Sequence, residues 1–173
     1  MEQGLIHIYH GDGKGKTTCA FGLALRCAGC GYHVRIAQFL KGRESGELRA
    51  MEAFDHVEVL RTEKPPCFTW QMTEQQKQQT AKQCGQLLRE AFADTEEIRL
   101  LVLDEVLIAI LTGMLEEEQL ITLLQNRPAH LEVVLTGRSP SENLRSMAHY
   151  ITEMRKEKHP YDSGIAARRG IEL

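Results

Sequence analysis

Leu5-Ile6-His7-Ile8-Tyr9-His10-Gly11-Asp12-Gly13-Lys14-Gly15-Lys16-Thr17-Thr18 is the stretch whose reading decides the fold. An apolar run of strand length gives way to three glycines and two lysines. Ala20, Phe21, Leu23 and Ala24 then open a helix of small and apolar residues. Strand, glycine-rich turn and helix in that order form a phosphate-binding loop in the context it requires. The glycines let backbone N–H groups converge on phosphate oxygens, Lys16 supplies a point charge, and the Thr17 hydroxyl is placed to reach Mg²⁺. The loop is a variant, because the usual pattern wants glycine at position 10 and this chain has His10.

Outward from the loop, short apolar runs alternate with longer amphipathic segments, the rhythm of an α/β protein with a mostly parallel sheet. Strands are expected near Leu5 to Tyr9, His33 to Phe39, Val57 to Leu60, Arg99 to Asp104, Glu132 to Thr136 and Tyr150 to Glu153. Thr73 with Gln76 is a capping box, followed at helical spacing by Ala81, Cys84, Leu88 and Phe92, so a helix is expected to about Ala93. Ser139-Pro140-Ser141-Glu142 reads as a second capping box with proline at the first helical position, and a helix to about Ala148 follows. Glu116 to Glu118 reads as a solvated first turn, and Lys64-Pro65-Pro66 as a loop tip. No repeat or linker divides the chain, so residues 1–173 are expected to form a single domain: a P-loop nucleotide-binding fold with a mainly parallel sheet of five or six strands and helices on both faces.

Composition excludes several classes. With 42% apolar and 26% charged residues the chain is neither disordered nor fibrous. Twenty-one basic against 24 acidic residues give a net charge of -3, without the positive field that nucleic acid binding demands. Val106 to Leu111 is the longest apolar run, far below the roughly 20 residues of a membrane span. The opening Met1-Glu2-Gln3 lacks the features of a secretory signal, and five scattered cysteines suit a reducing compartment, so the expected location is the cytoplasm.

Leu100-Leu101-Val102-Leu103-Asp104-Glu105 is an apolar strand ending in two carboxylates, the oxygen donors that Mg²⁺ takes beside substrate phosphates. Arg138 follows another strand, at the edge where parallel sheets border their ligand crevice. Cys27-x-x-Cys30 with His33 reads as structural, since zinc needs four ligands and no second pair follows. Cys19 and Cys84 are expected in the core. Phe68-Thr69-Trp70 sets two aromatics in a loop, either a hydrophobic plug or a ligand-facing pair.

Taken together these pieces resemble one family, the ATP:corrinoid adenosyltransferases of the phosphate-loop type. The resemblance spans Gly11 to Thr18, Phe21-Gly22-Leu23-Ala24, Gln38-Phe39-Leu40-Lys41-Gly42, Phe68-Thr69-Trp70, Asp104-Glu105, Leu135-Thr136-Gly137-Arg138, Thr152-Glu153-Met154, Lys158-His159 and Gly170-Ile171-Glu172. It implies transfer of the 5′-deoxyadenosyl group of Mg-ATP to the cobalt(I) of a corrinoid, with tripolyphosphate as leaving group, in adenosylcobalamin synthesis or salvage. It further implies that Gly11, Asp12, Gly13, Lys14, Gly15, Lys16, Thr17 and Thr18 hold ATP, with Lys41 and Arg138 on further phosphate oxygens. Thr17, Asp104 and Glu105 would hold the metal. Phe68 and Trp70 would lie against the corrin and displace its lower ligand, joining Lys16 and Glu105 as catalytic residues. A flavoprotein electron donor and a homodimer are implied by likeness alone. Asp12 stands where the family often has asparagine, so its carboxylate must turn from the phosphates or pair with Lys14; His149 stands where aspartate is frequent. Longer members carry a covering segment ahead of the first strand, and three residues precede Gly4 here. Competing readings from the loop alone are a small kinase or NTPase, which would release ADP or a phosphorylated product, and a nucleotide-gated binding protein that consumes no ATP.

Overall fold

The computed structural model describes residues 3–42, 46–51, 53–63, 65 and 67–172. Its six strands are β1 (Ile6–His10), β2 (His33–Gln38), β3 (Val57–Arg61), β4 (Ile98–Asp104), β5 (Glu132–Thr136) and β6 (Tyr150–Glu153). They form one sheet in the order β3-β2-β4-β5-β1-β6, and every neighbouring pair is parallel. All six expected strands are present, and the mainly parallel sheet is parallel throughout.

Because successive strand residues face opposite ways, a sheet covered on both faces needs continuous apolar runs, and β4 supplies one. Leu101 and Leu103 pack with Ile6, Ile8 and the helix residues Leu87, Leu88 and Leu120 on one face. Leu100 and Val102 pack with Val34, Ile36, Ala20, Phe21 and Ala24 on the other. Each fully buried leucine contributes about 1.5–3 kcal/mol by leaving water. Parallel connection requires crossovers, and these are the helices α1 (Lys16–Gly29), α2 (Gly46–Met51), α3 (Glu74–Phe92), α4 (Val106–Leu111), α5 (Glu117–Gln125) and α6 (Glu142–Met147).

α3 begins at the expected capping box, with the Thr73 hydroxyl accepting from the Gln76 amide at 3.3 Å and the Gln76 side chain accepting from the Thr73 amide at 2.9 Å. Its buried face runs through Thr80, Cys84, Leu87, Leu88 and Ala91, which leaves Ala81 and Phe92 half-buried at the margins. It ends where the buried Arg35 guanidinium donates to the carbonyls of Ala91 and Ala93 while pairing with Glu58 at 2.6 Å. α5 opens on the acidic run, with Glu117 and Glu118 in its first turn.

Two expectations are corrected. The cap of α6 is Ser141, whose hydroxyl accepts from the Leu144 amide at 3.2 Å. Ser139 adopts a left-handed φ of 49°, which places Pro140 ahead of the cap and outside the helix. Cys19 is exposed on α1, because Ala20, Phe21 and Ala24 fill the packed side of that helix; Cys84 is buried. Lys64 and Pro66 of the expected loop tip lie outside the described residues.

Candidate functional site

β1, β2, β4 and β5 all deliver a polar residue at the carboxyl edge of the sheet. β1 runs into Gly11 (φ 112°), and α1 starts at Lys16 directly after Gly15 (φ 115°). Those left-handed turns suit glycine. They bring the unpaired amides of a helix start to the head of the crevice, where the helix dipole favours an anion. Lys16 reaches back, its Nζ donating to the Gly13 carbonyl at 2.6 Å. Burial, reinforced by the positive charges of Arg138 and Lys41, lowers its pKa against the pull of Glu105 and Asp12.

The loop is braced by the segment after β6. The Gly13 amide donates to the Met154 carbonyl at 2.7 Å, and a Cβ on Gly11 or Gly13 would fall 2.3 or 2.7 Å from that same oxygen. Asp12 turns the same way. Its Oδ1 accepts from the Lys156 amide at 3.0 Å, and that hydrogen bond holds its pKa down. Lys14 stands 3.9 Å from Glu172 instead of pairing with Asp12.

Asp104, at the tip of β4, is fully buried and collects four donors. Oδ1 accepts from the hydroxyls of Thr17 (3.0 Å) and Thr136 (2.7 Å); Oδ2 accepts from Gln38 Nε2 (3.0 Å) and Lys41 Nζ (2.6 Å). Lys41 Nζ also donates to Thr17 Oγ1 at 2.8 Å and lies 3.8 Å from Glu105 Oε1. Glu105 caps α4 in a left-handed conformation (φ 63°), its amide donating to Thr136 Oγ1 at 2.9 Å. Burial raises its pKa above the ordinary 4.5, more than the neighbouring Lys41 lowers it. Thr17, Asp104 and Glu105 thus aim oxygens at one ammonium, the kind of hard-donor set that suits a small divalent cation.

Phe68 and Trp70 stack in parallel, ring centroids 4.6 Å apart and planes 4° from coplanar, with 64% and 75% of their surfaces exposed. Trp70 sits in the 3₁₀ turn Thr69–Gln71 and the buried Met72 anchors the turn just ahead of α3. These aromatics, the phosphate loop, Lys41, Glu105 and Arg138 line one cavity of about 1010 Å³. Every residue expected at the site lies in or beside it except that Asp104 is buried beneath its floor and Gly11 at its margin. Sequence reasoning assigned no role to Gln38 or Thr136, which join Asp104, nor to Tyr161, Ile165 and Ile171, which line the cavity from the chain's last segment. The signal for the first two was present, since each is the polar residue that ends an apolar strand.

A phosphate loop on the strand next to β5, with the acid-tipped β4 one strand further on, makes this a P-loop nucleotide-binding protein. The fold is similar to that of a KaiC-like protein of Pyrococcus horikoshii (TM-score 0.54, 15% identity, 92% of this chain and 76% of that one). It is also similar to the cytoplasmic domain of EssC (TM-score 0.52, 16% identity, 99% and 39%). Sequence is more specific than fold: residues 2–173 match the family described as ATP:corrinoid adenosyltransferase BtuR/CobO/CobP, and the chain belongs to it. The corrinoid adenosyltransferase of Pseudomonas aeruginosa is 35% identical over 174 residues, covering 99% of this chain and 85% of that protein. Those of Salmonella typhimurium and Escherichia coli are 35% and 33% identical over 99% of this chain, covering 86% of each relative. The protein is therefore a transferase of the corrinoid-adenosylating family. No helix among the described residues is long and apolar enough to cross a membrane.

Proposed function

We propose that residues 1–173 act as one domain that transfers the 5′-deoxyadenosyl group of Mg-ATP to the cobalt(I) of a corrinoid. One observation carries the reading. Among the described residues ten large hydrophobic side chains are exposed, and five of them, Phe68, Trp70, Tyr161, Ile165 and Ile171, line the cavity that contains the phosphate loop. A γ-phosphoryl transferase has no need of such walls, whereas a corrin is a broad apolar-faced ring that does. Phe68 and Trp70 pack against the corrin and exclude its lower axial ligand, leaving cobalt easier to reduce; Tyr161 and Ile165 face it from the tail.

In the reaction the cobalt(I) electron pair forms a bond to C5′ of ATP. The C5′–O bond breaks, and its electrons leave with tripolyphosphate. Negative charge grows on the triphosphate, against which this reading sets Lys16, Arg138 and the loop amides other than Gly13's, and no general base is needed because cobalt(I) carries no proton to remove. The Lys41 ammonium marks a place suited to a cation, and the oxygens of Thr17, Asp104 and Glu105 are the residues that would hold Mg²⁺. Bound there, the ion would neutralise phosphate charge. The electron donor is a flavoprotein and the assembly a homodimer, both carried over from the family likeness, and the place of work is the reducing cytoplasm that five scattered cysteines suit.

Phosphorus NMR of the products formed from Mg-ATP and chemically reduced cob(I)alamin tests the reading. Tripolyphosphate in one-to-one yield with adenosylcobalamin is expected. ADP and orthophosphate as products would overturn it.

A further inference from the structure

A second cavity, of about 650 Å³, adjoins the first, and Asp12 and Arg138 belong to both walls. The second is built by the end of β1, the turn after β5, α6 and the segment after β6. Four cationic side chains line it, Arg138, Arg145, Arg155 and Lys156, against two acidic ones, Asp12 and Glu153. Lys156 is compensated from outside the wall, which leaves three arginines facing the carboxylates of Asp12 and Glu153. Asp12 is engaged by the Lys156 amide, and the Lys156 ammonium is held by Asp162 at 3.0 Å. Among the described residues no carboxylate lies within ion-pair distance of Arg138, Arg145 or Arg155.

Arg145 is aimed by His10, the residue that departs from the usual loop pattern. Its Nη1 lies 3.3 Å from His10 Nε2. A guanidinium only donates, so the imidazole accepts at Nε2, which requires the neutral ring. Burial and the adjacent Arg145 keep the ring in that form by lowering its pKa, so His10 orients the arginine without adding charge to the cavity or removing any.

Arg138 faces both cavities, while Arg145 and Arg155, outside ion-pair distance of any described carboxylate, are left to an oxyanion in the second. Guanidinium forks match phosphate oxygens bidentately. The cavity is far larger than one orthophosphate, which favours a chain of phosphates. We propose that this cavity binds a condensed phosphate of the tripolyphosphate class, at a site separate from the nucleotide cradle and joined to it through Arg138. The site itself stands on these residues; only the source of its ligand rests on the adenosyl-transfer reading, in which tripolyphosphate is released next door.

The test is calorimetric titration of tripolyphosphate, and in parallel orthophosphate, into protein saturated with Mg-ATP in the absence of corrinoid and with Mg²⁺ in excess. One equivalent of tripolyphosphate should bind while ATP stays bound. A double variant, Arg145→Ala with Arg155→Ala, should bind it at least tenfold more weakly and ATP within twofold of the parent. If the double variant does not fold, Arg155→Gln at its exposed position should still weaken tripolyphosphate at least threefold. Tripolyphosphate that binds only by displacing ATP, that binds the variants unchanged, or that binds no better than orthophosphate overturns the proposal. Failure of ATP itself to bind would strike the adenosyl-transfer reading instead, and titration of nucleotide-free protein would still report the site that depends on Arg145.

Discussion

Lys41 and Asp104 meet at 2.6 Å, a partly exposed ammonium against a wholly buried carboxylate, and that contact sets the electrostatics of the cavity floor. Without Lys41, Asp104 keeps only the neutral donors of Thr17, Gln38 and Thr136. Losing a hydrogen bond to a charged group costs about 1.5–3 kcal/mol. Lys41→Met should therefore lower the melting temperature in metal-free buffer. Millimolar Mg²⁺ should restore more stability to the variant than it adds to the parent, because the ion takes over the compensating charge. Thermal melts with and without Mg²⁺ check both halves.

Lys16→Ala should cut adenosylation about a hundredfold to a thousandfold, the usual cost of one preorganised charge at a developing anion. Circular dichroism should show the fold unchanged, since among the described residues the Lys16 ammonium hydrogen-bonds only to the Gly13 carbonyl of its own loop. Near-normal turnover would mean that the leaving group sits elsewhere.

Glu105 makes a prediction about pH. Its folded pKa lies above the ordinary 4.5, so the folded state holds the proton more tightly than the unfolded chain. Stability from this group is then present at low pH and lost as pH rises through the window between the two values. Glu105→Gln removes the penalty. The variant should melt higher than the parent at pH 7 without metal, the gap closing as pH approaches 4.5, while its Mg²⁺ requirement for activity rises. Parallel melts and a metal titration measure the two effects, and a variant that is less stable at pH 7 would contradict the account.

Trp70→Ala should spare ATP binding, because the side chain is three-quarters exposed and, among the described residues, its ring stacks only on Phe68. Its loss should fall unequally on two substrates. Cobalamin has a nucleotide base that must leave the lower face of cobalt, whereas cobinamide has only a weakly held water, so the variant should retain more activity on cobinamide. Equal losses on both would reduce the aromatic pair to a support for its own loop.

The strands were legible because buried parallel strands announce themselves as apolar runs, and the loop because glycine, lysine and threonine have few other reasons to occur together after one. Gln38 and Thr136 carried a local sign, a polar residue ending an apolar strand, but not the identity of the carboxylate they join. Their importance depends on the sheet order that sets β2 and β5 on either side of β4, and order is a property of long-range pairing that no local pattern carries. The Ser139 cap failed for a local reason: two serines two residues apart offer the same hydroxyl, and only the left-handed turn at Ser139 decides between them. Asp12 looked like a misplaced charge beside a polyanion until the segment after β6 supplied the amide that turns it aside.

That brace has a consequence for how the protein comes to exist. β1 lies between β5 and β6, and the glycines of the first loop rest against Met154, so the first strand of this sheet to be made borders the two made after all the others in it. Until both emerge, β1 keeps two open edges, a hazard for stray pairing during synthesis. Contacts so distant along the chain also slow folding. The nucleotide loop is translated before the two strands that brace it and takes its working shape only after them.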